Sequence, residues 1–141
     1  MLRHLWALCK EEDILWVKWI HSYVIKNQCI WHMRLPSNSS WTMRKLFSLR
    51  QIAQSFTRSI IGNGQSTFLW LDNWHNLGPL YLKYGDRVAF NMGRSLAAKV
   101  SSIINNGEWH WPRRRNPVIA EIIHNTDASL IPAEANEDRV I

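Results

Sequence analysis

Between Ile14 and Leu71 the sequence has no Asp or Glu at all. The only acids of residues 1–71 are therefore Glu11, Glu12 and Asp13, consecutive and placed where a helix begins. Carboxylates there favour the positive end of a helix dipole, so they read as helix-start chemistry and not as an acid/base pair. Cysteine is scarce too. Cys9 and Cys29 are the only two, which excludes a disulfide framework and suits a reducing compartment, the nucleus or the cytosol. No uninterrupted apolar run reaches the roughly 18 residues that would suggest a membrane span. The opening MLRHLWALCKEED turns acidic early and no small-residue cleavage site succeeds it, so a secretory signal is not expected. Internal repeats and low-complexity tracts are absent as well.

What remains is basic and aromatic. The chain has 141 residues, 46% of them hydrophobic and 20% charged, enough to bury one domain's core. Its net charge of +6 is uneven: residues 1–71 hold nine Lys or Arg against three acids, whereas in residues 72–141 eight of each cancel. A basic half with interleaved aromatic rings suits a polyanion such as RNA or DNA, and equally suits a solvated positive face.

Periodicity predicts a helix over about Ile14–Lys26, capped by Asp13, with Trp16, Trp19, Ile20, Tyr23 and Val24 as its apolar stripe. Pro36 interrupts it, and a second helix is expected over about Ser40–Phe56, capped by Ser39 or Ser40. Leu46, Leu49, Ile52, Ala53 and Phe56 share its apolar face; Arg44, Ser48, Gln51 and Ser55 share a face suited to phosphate or water. Next comes Gly62-Asn63-Gly64 between β-prone segments, a hairpin signal because both Asn and Gly tolerate a type I′ turn. In the returning segment Thr67–Leu71 both sides are apolar, so both must be covered. Asp72 and Asn73 then form a turn that returns Trp74 towards Trp70. Residues 75–94 read as a mixed loop with a turn signal at Gly93. A short helix is expected over Ser95–Ile104, ended by Asn105-Asn106-Gly107. A strand is expected at 108–111, and a last helix starts at Asn116-Pro117 and runs to about Asn125. The expected class is α+β, mainly short helices packed on a small hairpin at about 59–72, with a third short strand at 108–111. The expected organisation is one segment: helical 1–57, hairpin and Trp-rich turn 58–80, mixed 81–131 and a polar tail 132–141.

No reactive constellation emerges. Gly62-Asn63-Gly64 has neither the later glycine nor the lysine of a nucleotide-binding loop and reads as a turn. Cys29 and His32 have half the spacing of a zinc site, but no second pair accompanies them; His21 and His75 are remote. Both cysteines lie in apolar surroundings that keep a thiol protonated, and His110 lacks a nucleophile or an orienting carboxylate. Catalytic residues, metal, cofactor, membrane and small-molecule substrate are all expected to be absent.

Four blocks of the sequence carry a resemblance. They are DILWVKWIHSYVIKNQCIW, SWTMRKLFSLRQIAQSF, IIGNGQSTFLWLDNWHNLGPL and VSSIINNGEWHWPRRR. Together they resemble plant non-LTR (LINE-type) retrotransposon reverse transcriptases, in the segment between the polymerase and the zinc-binding region. Leu15, Trp16, Val17, Trp19 and Tyr23 match the first block, and Trp41, Lys45, Leu46, Leu49 and Arg50 the second. Ile61, Gly62, Asn63, Gly64, Trp70, Asp72, Trp74, Gly78 and Pro79 match the third, and Trp109, Trp111 and Pro112 the fourth. The family's paired polymerase aspartates have no counterpart, and its zinc-binding segment would begin beyond Ile141. The resemblance therefore implies a non-catalytic fragment, associated with RNA or DNA and with the rest of a reverse transcriptase. An inert structural or protein-interaction remnant is the other reading. Residues expected to meet nucleic acid are Arg44, Lys45, Arg50, Arg58, Arg113, Arg114 and Arg115. Asp72 is expected to form a turn and not to hold a metal.

Overall fold

A computed structural model describes residues 2–91, 95–112, 117–126, 130–133 and 135–141. The chain divides into two compact units, Met1–Arg58 with Val140–Ile141, and Ser59–Arg139.

The first unit is helical. Helix α1 (Leu2–Cys9) buries Leu5, Ala7 and Leu8, a helix that the sequence periodicity did not single out. Helix α2 (Leu15–Ile20) runs into a single π turn, His21–Ile25. In that turn the amide of Lys26 reaches back five residues to the carbonyl of His21 at 2.7 Å. One wide turn shifts the helical phase, and this corrects the expected stripe. Val17, Ile20 and Ile25 are buried, while Trp19 and Tyr23 lie outside. Asp13 is not the cap, since Ile14 takes that position. Asp13 instead pairs with Lys18, whose hydrogen bond and charge hold the carboxyl below its usual range.

The second expected helix is two helices, α3 (Trp41–Ser48) and α4 (Arg50–Phe56). Ser40 caps α3, its hydroxyl accepting from the amide of Met43 at 3.3 Å. Leu49, at φ −91° and ψ 2°, leaves the helical region and separates the two helices. Leu46, Phe47, Ala53 and Gln54 therefore turn inward, while Ile52 and Phe56 are exposed.

The remaining elements lie in the second unit, except that the last strand ends on Val140 of the first. In chain order these elements are β1 (Ser59–Ile60), α5 (Leu80–Tyr84), α6 (Arg87–Asn91), a 3-10 turn at Val100–Ile103, β2 (Ile104–Asn105), β3 (Glu108–Trp109), α7 (Pro117–His124) and β4 (Arg139–Val140). Strand β1 pairs with β4, and β2 with β3. Short helices with two small sheets make the class α+β. Expected cap Asn116 and the turn at Gly93 lie outside the described residues.

The hairpin expected over about 59–72 does not form. Residues 59–61 and 67–71 do not pair with each other. The amides of the Gly62–Gly64 turn are directed at a carboxylate, and the returning segment instead bridges Phe68 to Lys99. Around that bridge the Leu69 amide donates to the Ala98 carbonyl, and the Val100 amide to the Thr67 carbonyl, both at 2.9 Å. A two-residue hairpin forms instead at Asn106-Gly107, where φ is +52° and +75°. Ile104 faces Trp109 and Asn105 faces Glu108 across it. These are the positive φ values of a type I′ turn, so Asn-Gly does close a hairpin, one repeat of the signal further on. The expected Ser95–Ile104 helix shrinks to the 3-10 turn, because Ile104–Asn105 is drawn into this ladder.

The core of this unit gathers Leu69, Trp70, Trp74, Leu80, Val88, Val100, Ile103, Ile119 and Ile122. Both sides of Thr67–Leu71 are buried, as their apolar alternation requires. A fully buried indole removes roughly 150–250 Å² from water, about 4–6 kcal/mol before ordering costs.

Candidate nucleic-acid interface

Charge and aromatic surface are the two ingredients of interest, and each unit carries its own share. In the first unit Arg44 and Lys45 lie on α3 and are exposed, as is Arg58. One Arg44 Nη donates to the Ser37 carbonyl at 2.7 Å, which fixes the direction of its side chain. None of the three forms an ion pair among the described residues. Their charges face water and are free for a phosphate.

Arg50 differs from these three in being half-buried and hydrogen-bonded within the protein. Its Nη1 donates to the carbonyls of Ile30 (2.9 Å) and Met33 (2.7 Å), and its Nε to that of Phe47 (3.1 Å). The guanidinium also lies 5.2 Å from the centre of the Phe47 ring. Burial lowers its pKa from the ordinary value. Arg50 clamps the Cys29–Met33 turn onto α4 through its Nε and Nη1 donors. Arg113, Arg114 and Arg115 lie outside the described residues.

Several tryptophans of the second unit converge. Trp70 and Trp74 are fully buried. Trp74 Nε1 donates to the Leu69 carbonyl at 2.9 Å, and Trp70 Nε1 to that of Ser95 at 3.2 Å. Neither indole N–H is left without a partner, which a buried donor requires. Asp72 works as a turn-former: its carboxylate accepts from the Phe68 amide at 2.7 Å. Trp109 and Trp111 stack on Trp74, with ring centres 5.3 and 6.3 Å away. Both are only half-buried. They line an open groove of about 490 Å³ together with Ile123, Leu130, Ile131 and Pro132. Trp109 Nε1 donates to the Leu130 carbonyl at 2.6 Å, so this wall is held in one orientation.

Two features carry no mark in the sequence. His75 is fully buried; its Nδ1 accepts from the Leu77 amide at 3.1 Å, and its Nε2 lies 2.9 Å from the Thr126 hydroxyl. With Nδ1 accepting, Nε2 carries the proton and donates to Thr126, which in turn donates to the Ile122 carbonyl at 2.8 Å. The second feature is Asp138, whose carboxylate is ringed by the Gly62–Thr67 loop. A lone Asp in a polar tail gives no sequence signal for such a role.

Among the described residues no group of three His, Cys, Asp or Glu side chains comes together in a way that could hold a metal ion. Cys29 and His32 share one turn, with the His32 amide donating to the Cys29 carbonyl at 3.2 Å. The chain matches no family model, no curated protein and no solved structure.

Proposed function

We propose that the chain is a non-catalytic, nucleic-acid-associated connector of a LINE-type retroelement reverse transcriptase, from the segment upstream of a zinc-binding region. In such an enzyme it would support the template–primer or link the polymerase to that region. The observation that carries this reading is the aromatic wall: Trp109 and Trp111, stacked on buried Trp74 and half-open beside a groove. Stacking on such rings is tolerant of base identity, as a connector that tracks any template needs. Exposed Arg44, Lys45 and Arg58 supply charge for phosphates, and Arg113–Arg115 come directly after Trp111 and Pro112 in the sequence.

A second reading is an inert structural or protein-interaction remnant. It is favoured by large apolar side chains left in water: Trp41 is 72% exposed, Phe56 79% and Phe90 83%.

Fluorescence anisotropy with labelled single-stranded RNA and DNA separates the two. The connector reading expects binding that weakens at least about tenfold when Arg44, Lys45 and Arg58 are all changed to Gln, since each phosphate contact contributes to affinity. Absence of binding at low salt supports the remnant. Family origin is tested separately, by whether the genomic reading frame around this segment encodes polymerase motifs upstream and a Cys/His segment downstream.

A further inference from the structure

The Gly62–Thr67 loop aims four donors at one point. Oδ1 of Asp138 accepts from the amides of Gly62 (2.6 Å) and Gly64 (2.9 Å). Oδ2 accepts from the Ser66 amide (3.0 Å) and the Thr67 hydroxyl (2.9 Å). No Lys or Arg pairs with this carboxylate among the described residues, so backbone and hydroxyl dipoles alone meet its charge. The alternate amides of Gly62, Gly64 and Ser66, with the Thr67 hydroxyl, converge on one anion, and backbone amides gathered in this way make anion receptors of the kind that phosphate-binding loops use.

The loop is built to stay in this shape. Gly64 has φ +74°, and a Cβ there would lie 2.6 Å from the Ser101 nitrogen. A Cβ on Gly62 would collide with the Asn136 carbonyl. The Asn63 side chain accepts from the Gln65 amide at 3.0 Å and stiffens the turn from within. The segment that bears Asp138 is docked separately, the Ala133 amide donating to the Gly62 carbonyl at 3.0 Å. The Asp138 segment thus stays against the loop through backbone contacts that do not involve the Asp138 side chain.

We propose that the Gly62–Thr67 loop is an oxyanion-binding site whose resident occupant is the Asp138 side chain, and that it takes a phosphate-type oxyanion when that carboxylate is withdrawn. Two carboxylate oxygens satisfy the four donors in pairs. Two oxygens of a phosphate can take the same places, its others pointing into the space vacated by Asp138. Because Asp138 is tethered, its effective concentration at the loop excludes dilute anions from the intact protein. This inference stands whether or not the chain meets nucleic acid.

Asp138→Ala in the full chain tests it, with stability measured in chloride, formate, phosphate and sulfate at constant ionic strength. In phosphate at ten times its Kd the folding equilibrium constant of the variant is expected to rise about tenfold, with no matching rise in the wild type. If the variant is unfolded in chloride, the readout is return of the native tryptophan emission when phosphate is added. Asp138→Asn, which still fills the loop, is expected to be indifferent to added anions. The proposal is overturned if Asp138→Ala responds to phosphate no more than the wild type does, or if Asp138→Asn responds equally. Rescue by formate with none by phosphate overturns the phosphate assignment.

Discussion

Arg44 and Arg50 look interchangeable in the sequence, two arginines in one predicted helix, yet their surroundings assign them opposite work. Arg50→Ala removes a charged donor from the Ile30, Met33 and Phe47 carbonyls. It is expected to cost about 2–3 kcal/mol in urea denaturation, whereas Arg44→Ala stays within about 0.5 kcal/mol. Binding should show the reverse order of sensitivity. Tyr84 offers a second residue-scale test. Its hydroxyl is buried with no hydrogen-bond partner, and burial first, then the charge of Glu121, push its pKa up. The folded state therefore holds this proton more tightly than the unfolded chain does. That raised pKa leaves stability intact below the ordinary phenol value and removes it as pH rises above about 10. Tyr84→Phe is expected to be neutral or stabilising by up to about 1 kcal/mol at neutral pH. It should also lessen the alkaline loss in a pH series of melting curves. None of this was legible in the sequence, because side-chain roles here depend on carbonyls and charges far along the chain.

At the scale of elements, local chemistry was legible where it acts alone and lost where partners compete. Ser40 is the cap that its residue type advertises, and Ser40→Ala should cost about 1 kcal/mol by thermal denaturation. Of the expected stripe Trp16, Ile20 and Val24 do pack in or against the core, whereas the π turn, which carries no simple sequence mark, exchanges Tyr23 for Ile25 there. Asn63-Gly64 was read as a hairpin turn and Asn106-Gly107 as a helix end, but only Asn106-Gly107 has flanking strands in register. At Asn63-Gly64 the carboxylate of Asp138 takes the amides that a ladder would need. The two glycines should therefore respond differently to alanine. At Gly107 a Cβ meets open space, and the cost is conformational strain of about 1–2 kcal/mol. At Gly64 the same strain is joined by a backbone collision, and unfolding of the second unit is the expected result. Equal melting temperatures for the two variants would contradict the packed-loop description.

At the scale of the whole molecule, each unit is built around its own buried apolar core. No helix among the described residues is long and apolar enough to cross a membrane. Trp74 anchors the second unit, and Trp74→Ala should cost about 3–5 kcal/mol, taking the Trp109–Trp111 wall with it. The convergence of Ile61, Trp70, Trp74, Trp109 and Trp111 on one core explains why a tryptophan pattern so widely spaced along the chain reads as a unit in the sequence. The decisive measurement is a salt titration of the full chain with single-stranded RNA and DNA. The account predicts that log K falls linearly with log salt, with a slope of about −0.7 for each phosphate neutralised. Affinity that does not change with salt, or no affinity even at the lowest salt, would contradict it.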